Sequence, residues 1–160
     1  MKIMTLGYEG ATSQEFFDVL LKNRIQLIVD VRELPISHKV GFSKASLVKT
    51  ASDYSMNYIH MPALGCPKRI RHDYRKDNDW VRYTRRFTAY LNTQNVALDE
   101  LAELARLWRC CLVCFEAHPN FCHRIFVAQR VAASGGSPLV VVHLMFSAPE
   151  KVVTLHPALA

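Results

Sequence analysis

Apolar and polar positions fall into alternating blocks along the 160 residues. Five blocks are short and apolar at most positions: "KIMTLGY" (2–8), "IQLIVDVR" (25–32), "MNYIHM" (56–61), "RCCLVCFE" (109–116) and "PLVVVHL" (138–144). Such runs are what strands show when helices cover a sheet on both sides. Between them apolar residues recur at helical spacing. In "ATSQEFFDVLLKNR", Phe16, Phe17, Leu20 and Leu21 share a face, and Thr12 with Glu15 makes a capping box. "SKASLVKTASDY" is predicted as a helix capped by Ser43, with Leu47, Val48 and Ala51 inward. Residues 80–94 and 96–108 are predicted as two more, the second carrying Leu98, Leu101, Leu104 and Leu107. The last is "NFCHRIFVAQRVAAS", with Asn120 as its N-cap and Gly135-Gly136 as its end.

Strand and helix alternate, which predicts a single α/β domain. The expected architecture is a mostly parallel sheet of about five strands with helices on both faces, a Rossmann- or flavodoxin-like three-layer fold. The expected strand order is 3-2-1-4-5 or 2-1-3-4-5. The domain takes residues 1–144, and 145–160 is expected to be an irregular C-terminal arm. Ligands of such sheets bind beyond the carboxyl ends of the strands, where the strand order reverses.

Those carboxyl ends carry the chemistry. Tyr8 and Glu9 follow the first strand, and Asp30, Arg32, Ser37 and His38 the second. His60 ends the third, Cys114 and Glu116 the fourth, His143 the fifth. The opposite edge receives ordinary connectors such as "NRIQ" and "SGGSP". Asp30 and Arg32 straddle Val31, so alternation sends both to one face, to pair or to clamp a polar ligand. Arg32 and Arg124 suit a phosphate or carboxylate, since guanidinium binds such groups with two parallel hydrogen bonds.

The densest stretch is "CFEAHPNFCHR", residues 114–124. Cys122 is expected in the first helical turn, where free N–H groups, His123 and Arg124 lower a thiol pKa. That makes it a nucleophile or ligand, or simply a small residue closing the helix–sheet interface. Glu116 is a general acid/base or carboxylate nucleophile, or a partner that pairs with Arg124 or Arg32. Cys114, Cys122 and His123 also offer a thiol, redox or metal site. The spacing is not a compact zinc pattern, because no CxxC occurs. No cofactor is expected, and the absence of GxGxxG and GxxxxGK[ST] argues against dinucleotide or P-loop chemistry.

Charge adds a second theme. The net charge is +6. Residues 66–95 form a basic, aromatic insertion, expected to lie on the site edge as a lid. Its Lys68, Arg69, Arg71, Arg75, Arg82 and Arg85 are candidate nucleic-acid contacts, interleaved with Tyr74, Trp80, Tyr83, Phe87 and Tyr90. An anionic small molecule or nucleic acid is the expected partner. No apolar run reaches the roughly 20 residues that span a bilayer. The N-terminus lacks a signal-peptide core, so a cytoplasmic protein without a membrane partner is expected. The five cysteines are an odd number, which suits free thiols better than a disulfide framework. The oligomeric state stays open, a homo-oligomer included.

"LGY", "VDVRELPIS" with "GFSKASL", "YIHMPALG", "CFEAHPNFCHR" and "VVHL" together resemble a prokaryotic family named domain of unknown function 488. The resemblance runs from about residue 3 to 144. It implies a compact α/β domain with Asp30, Arg32, Ser37, Leu64-Gly65, Cys114, Glu116, Cys122, His123 and Arg124 as characteristic positions. It implies no particular reaction.

Three functional expectations follow. The first is an enzyme or binding protein for an anionic nucleotide, nucleoside or nucleic-acid group. Glu116, Cys122 and Asp30 are its catalytic candidates, with Tyr8, Arg32, Ser37, His60, Cys114, His123 and Arg124 around the ligand. The second is a non-enzymatic nucleic-acid-binding module, and the third a cysteine-based thiol or metal site.

Overall fold

The computed structural model describes residues 1–134, 139–146 and 151–152. The elements run β1 (Lys2–Gly7), α1 (Ser13–Lys22), β2 (Leu27–Asp30), α2 (Lys44–Asp53) and β3 (Asn57–His60). There follow α3 (Lys68–Asp77), α4 (Trp80–Leu91), α5 (Asn95–Leu107), β4 (Cys110–Cys114), α6 (Arg124–Ala133), β5 (Val140–His143) and β6 (Lys151–Val152). The five main strands are parallel, as expected for a three-layer α/β domain. The two-residue β6 pairs antiparallel with β5, so the C-terminal arm carries a strand. Gly135-Gly136 and the rest of the arm beyond Phe146, β6 apart, lie outside the described residues. No helix of the described residues is long and apolar enough to cross a membrane.

Local signals hold where a cap or a pleat decides. Thr12 and Glu15 form the capping box of α1. The Ser43 hydroxyl accepts from the Ser46 N–H at the start of α2. On β4, Cys110, Leu112 and Cys114 face one layer, and Cys111 and Val113 the other. The first layer is built by Phe87, Leu101, Val127 and Val131 of α4, α5 and α6. The second is built by Phe16, Phe17, Leu20 and Leu47 of α1 and α2. Val48, expected inward, is exposed, and so is Leu107 at the end of α5. Each lies off the apolar face of its helix once the neighbouring positions have docked.

The strand order departs from both expectations: it is β3-β2-β4-β1-β5, with β6 at the edge. The β1–β2 crossover skips one position in the sheet, and β4 later fills it. The connection from β3 to β4 carries α3, α4 and α5 and is long enough to cross back over β2. β4 is therefore paired along both edges, covered on both faces, and buried at all five residues. Its neighbours β1 and β2 send their chains to the α1/α2 layer, whereas β4 sends its chain to α6. Connections that diverge around one strand end leave a crevice there.

Candidate functional site

That crevice is a cleft of about 360 Å³ over the carboxyl ends of β1, β2 and β4. Tyr8, Arg32, Ser37 and Lys39 line it from the α1/α2 layer. Cys66, Arg71, Arg75, Cys114, Glu116 and His123 line it from the other. Phe115, at 44% exposure, presents an aromatic ring to it.

One wall is fixed by a buried ion pair. Arg32 Nε donates to Asp30 Oδ1 at 2.8 Å, and Nη2 lies 2.5 Å from Oδ2. Arg32 Nη1 donates to the Tyr8 hydroxyl and to the Phe42 carbonyl oxygen, each at 2.8 Å. The Tyr58 hydroxyl donates to Asp30 Oδ2 at 2.7 Å. Burial works against the Arg32 charge, but Asp30 and Tyr8 outweigh it and hold the guanidinium above its ordinary pKa. Alternation puts Asp30 and Arg32 on one face as expected, and they pair with each other. Asp30 is fully buried beneath the cleft, so its place is that of a positioning residue. His60 lies outside the cleft, its Nε2 2.8 Å from the Arg32 carbonyl oxygen. The Ser37 hydroxyl accepts from the Lys39 N–H at 3.2 Å on the rim. Behind this wall Gly65 brings the chain after β3 against the chain after β2. A Cβ at Gly65 would sit 2.2 Å from the Glu33 nitrogen.

The floor is the loop after β4. Arg124 is fully buried, yet it does not meet the Glu116 carboxylate. Its Nη1 donates to the Glu116 carbonyl oxygen, its Nη2 to that of Ala117 at 2.9 Å, and its Nε to Thr5 Oγ1 at 3.4 Å. It shapes the loop from below and does not line the cleft, so neither arginine of the expected anion clamp is free to serve. Gly7 permits this packing: a Cβ there would lie 1.7 Å from the Glu116 carbonyl oxygen. Thr5 Oγ1 also lies 2.7 Å from His143 Nδ1. Burial, with the Arg124 charge, pushes His143 down to about 4.

Above this floor four reactive groups converge. Donor atoms of Cys114, Glu116, Cys122 and His123 all lie within 4.8 Å of one another. The Cys114 thiol donates to Glu116 Oε2 at 3.2 Å. His123 Nδ1 is 3.7 Å from Cys114 Sγ and 3.9 Å from Cys122 Sγ. His123 Nε2 donates to the Val31 carbonyl oxygen at 2.9 Å, which turns Nδ1 toward the sulfurs. Burial, with Cys122, raises Glu116 to about 7. Burial opposes ionisation of Cys122, but Cys114, His123 and Arg124 outweigh it and hold this thiol well below its ordinary range. The cause is not the expected helix start. Pro119–Phe121 form a short 3-10 turn, Cys122 is extended, and α6 begins only at Arg124. Asn120 is exposed on that turn and caps nothing in α6. Pro119 favours the tight turn and uses up the residues that would have made an earlier helical turn. Cys122 is buried below the cleft lining, whereas Cys114, Glu116 and His123 reach it.

A family model described as domain of unknown function DUF488 matches residues 12–131. The chain belongs to this family. No curated protein and no solved structure matches it.

The DUF488 chain thus brings Tyr8, Arg32, Ser37, Cys114, Glu116 and His123 to one cleft and keeps Asp30, Cys122 and Arg124 as the layer beneath. The basic insertion contributes a wall. Arg71 and Arg75 project from α3 into the cleft, and Arg71 pairs with Glu33. Arg82 and Arg86 pair with Asp77 and Asp73. Lys68, Arg69, Arg75 and Arg85 make no ion pair among the described residues. The aromatics expected among the cations stack on one another instead: Trp80 lies 4.8 Å from Tyr83, and Tyr74 packs edge-on to Trp80. Tyr83 and Phe87 are buried. Lys39, Glu33 and Phe115 are cleft residues that the pattern did not single out. Phe115 could have been read from pleating, since it is the first residue past a buried strand and points away from Cys114 and Glu116.

Proposed function

We propose that this DUF488 protein is an enzyme acting on an anionic nucleotide- or nucleoside-type ligand held in the cleft. Lys39, Arg71 and Arg75 take the anionic group, Phe115 offers a face for a base, and Glu116 moves a proton at the reacting end beside Cys114. The observation that carries this reading is the polarity of the cleft. Cations lie on its outer walls, and a carboxyl, a thiol and an imidazole lie at its floor, in a volume that suits one small ligand. The test is calorimetric titration of metal-free protein with AMP, ADP, GMP and inorganic phosphate at low salt. Binding by the wild type that weakens roughly tenfold or more in Arg75→Ala and Lys39→Ala supports it. Glu116→Gln should keep binding and lose any turnover. Absence of binding across the panel rules the reading out.

A second reading rests on the cations of α3 and α4 that make no ion pair among the described residues. In it Lys68, Arg69, Arg75 and Arg85 contact a nucleic-acid backbone, and turnover plays no part. Oligonucleotide binding that falls steeply with salt and ignores Glu116→Gln favours it over the enzyme.

A further inference from the structure

We infer that Cys114, Cys122, His123 and Glu116 form a binding site for a divalent transition-metal ion of the zinc type. Cys114 Sγ, Cys122 Sγ and His123 Nδ1 are its fixed ligands, and Glu116 is its exchangeable, cleft-facing one.

Four observations converge. The first is the donor set: two sulfurs, an imidazole nitrogen and a carboxylate oxygen, which is borderline-soft chemistry favouring zinc over magnesium or calcium. The second is spacing. A tetrahedral ion with bonds of about 2.0–2.3 Å separates its ligand atoms by about 3.3–3.8 Å. Here Nδ1 lies 3.7 and 3.9 Å from the two sulfurs, and Cys114 Sγ lies 3.2 Å from Glu116 Oε2. Small rotations of these side chains meet the tetrahedral values. The third is the support behind the histidine. Metal-bound imidazoles donate their other N–H to a carbonyl or carboxylate, which fixes ring and tautomer, and His123 does so to Val31. The fourth is charge. Two thiolates and a carboxylate around a divalent ion leave one net negative charge. Arg124, next in the chain after His123 and fully buried, meets only neutral oxygens within hydrogen-bond reach among the described residues. Its charge offsets that remainder.

The two sulfurs and the imidazole are buried, whereas Glu116 is half-buried and lines the cleft. The open side of the ion therefore faces the ligand space. Three fixed protein ligands with an exchangeable fourth position is the arrangement of catalytic zinc sites. Binding displaces to solvent whatever protons the four ligand groups still hold, that of the Cys114 thiol above all. Glu116 and Cys114 serve in both proposals, but the site does not depend on anion binding, because Lys39, Arg71 and Arg75 are not ligands.

The experiment uses full-length protein, purified under reducing conditions, stripped with chelator, and titrated with cobalt(II). One equivalent should saturate, with thiolate-to-cobalt charge-transfer absorption and the visible bands of a tetrahedral ion. Cys122→Ser and His123→Ala should each weaken binding roughly tenfold or more. Cys110→Ala, which alters a buried thiol on the same strand, should leave the spectrum unchanged. Glu116→Gln should keep one equivalent of cobalt and shift the visible bands. Where a ligand variant fails to fold, a rise in the wild-type melting temperature on adding zinc, retained in Cys110→Ala, supports the site. Reduced wild type with no saturable cobalt absorption overturns it. So does a spectrum that survives unchanged in Cys122→Ser and His123→Ala. Complete loss of cobalt in Glu116→Gln overturns the exchangeable role of Glu116. Nucleotide binding is read separately on stripped protein, so failure of one proposal leaves the other standing.

Discussion

Arg32 and Asp30, two residues apart at the end of β2, face each other with both charges out of water and two side-chain hydrogen bonds between them. Removing one partner leaves the other buried without compensation. Asp30→Asn should therefore cost about 3–5 kcal/mol, and Arg32→Met a similar amount. The double variant should lose clearly less than the sum. Urea unfolding of the three variants checks this, and simple additivity would mean that the pair does not act as a unit.

Two glycines should tolerate no side chain. The atoms that would lie nearest a Cβ at Gly7 and Gly65 are backbone, so they cannot swing aside. Gly7→Ala and Gly65→Ala should each cost at least about 2–3 kcal/mol, or prevent folding. Gly10, with φ of +80° and open space around it, should cost only about 1 kcal/mol as alanine. Melting temperatures of the three variants give the comparison.

His143 should make the fold acid-sensitive. Its folded pKa is pushed down to about 4, below its ordinary 6.5. Between these values the unfolded chain binds more protons than the folded one. The stabilisation is complete above about pH 6.5 and is lost as pH falls toward 4. Urea midpoints measured from pH 7.5 to 4.5 should fall across that window. In His143→Gln the fall should be shallower, and an identical slope would remove His143 as the cause.

The two cleft arginines should separate on stability. Arg71 pairs with Glu33 and donates from Nε to the Cys66 carbonyl oxygen at 2.9 Å, so Arg71→Ala should lower the melting temperature as well as anion affinity. Arg75 is exposed and unpaired among the described residues. Arg75→Ala should change stability by no more than about 0.5 kcal/mol and act on affinity alone. Paired melting and titration experiments decide.

What was legible in the chain follows how local each determinant is. Caps at Thr12 and Ser43 and the pleat of "CCLVC" need only near neighbours, and they hold. Helix α3 was hidden because "KRIRHDYRKD" carries only Ile70 and Tyr74 as apolar anchors, and the partners of Tyr74 lie on α4. The crowding of Cys114, Glu116, Cys122 and His123 was visible in one stretch. The role of Arg124 was not, because it binds backbone carbonyls, which no residue type announces. The order of strands depends on a gap between β1 and β2 that neither segment records.

That gap has a consequence for how the molecule comes into being. Until β4 arrives, β1 has no partner among the preceding strands, and the β2–β3 pair ends in an open, apolar edge. A nascent chain that has emerged only as far as α5 presents two sticky ribbons and no ligand pocket. The reactive cysteines at the end of β4 thus reach their neighbours at the moment the last central seam closes. A polypeptide interrupted before Cys110 should be recovered from cells as aggregate, and not as a weakened version of the whole.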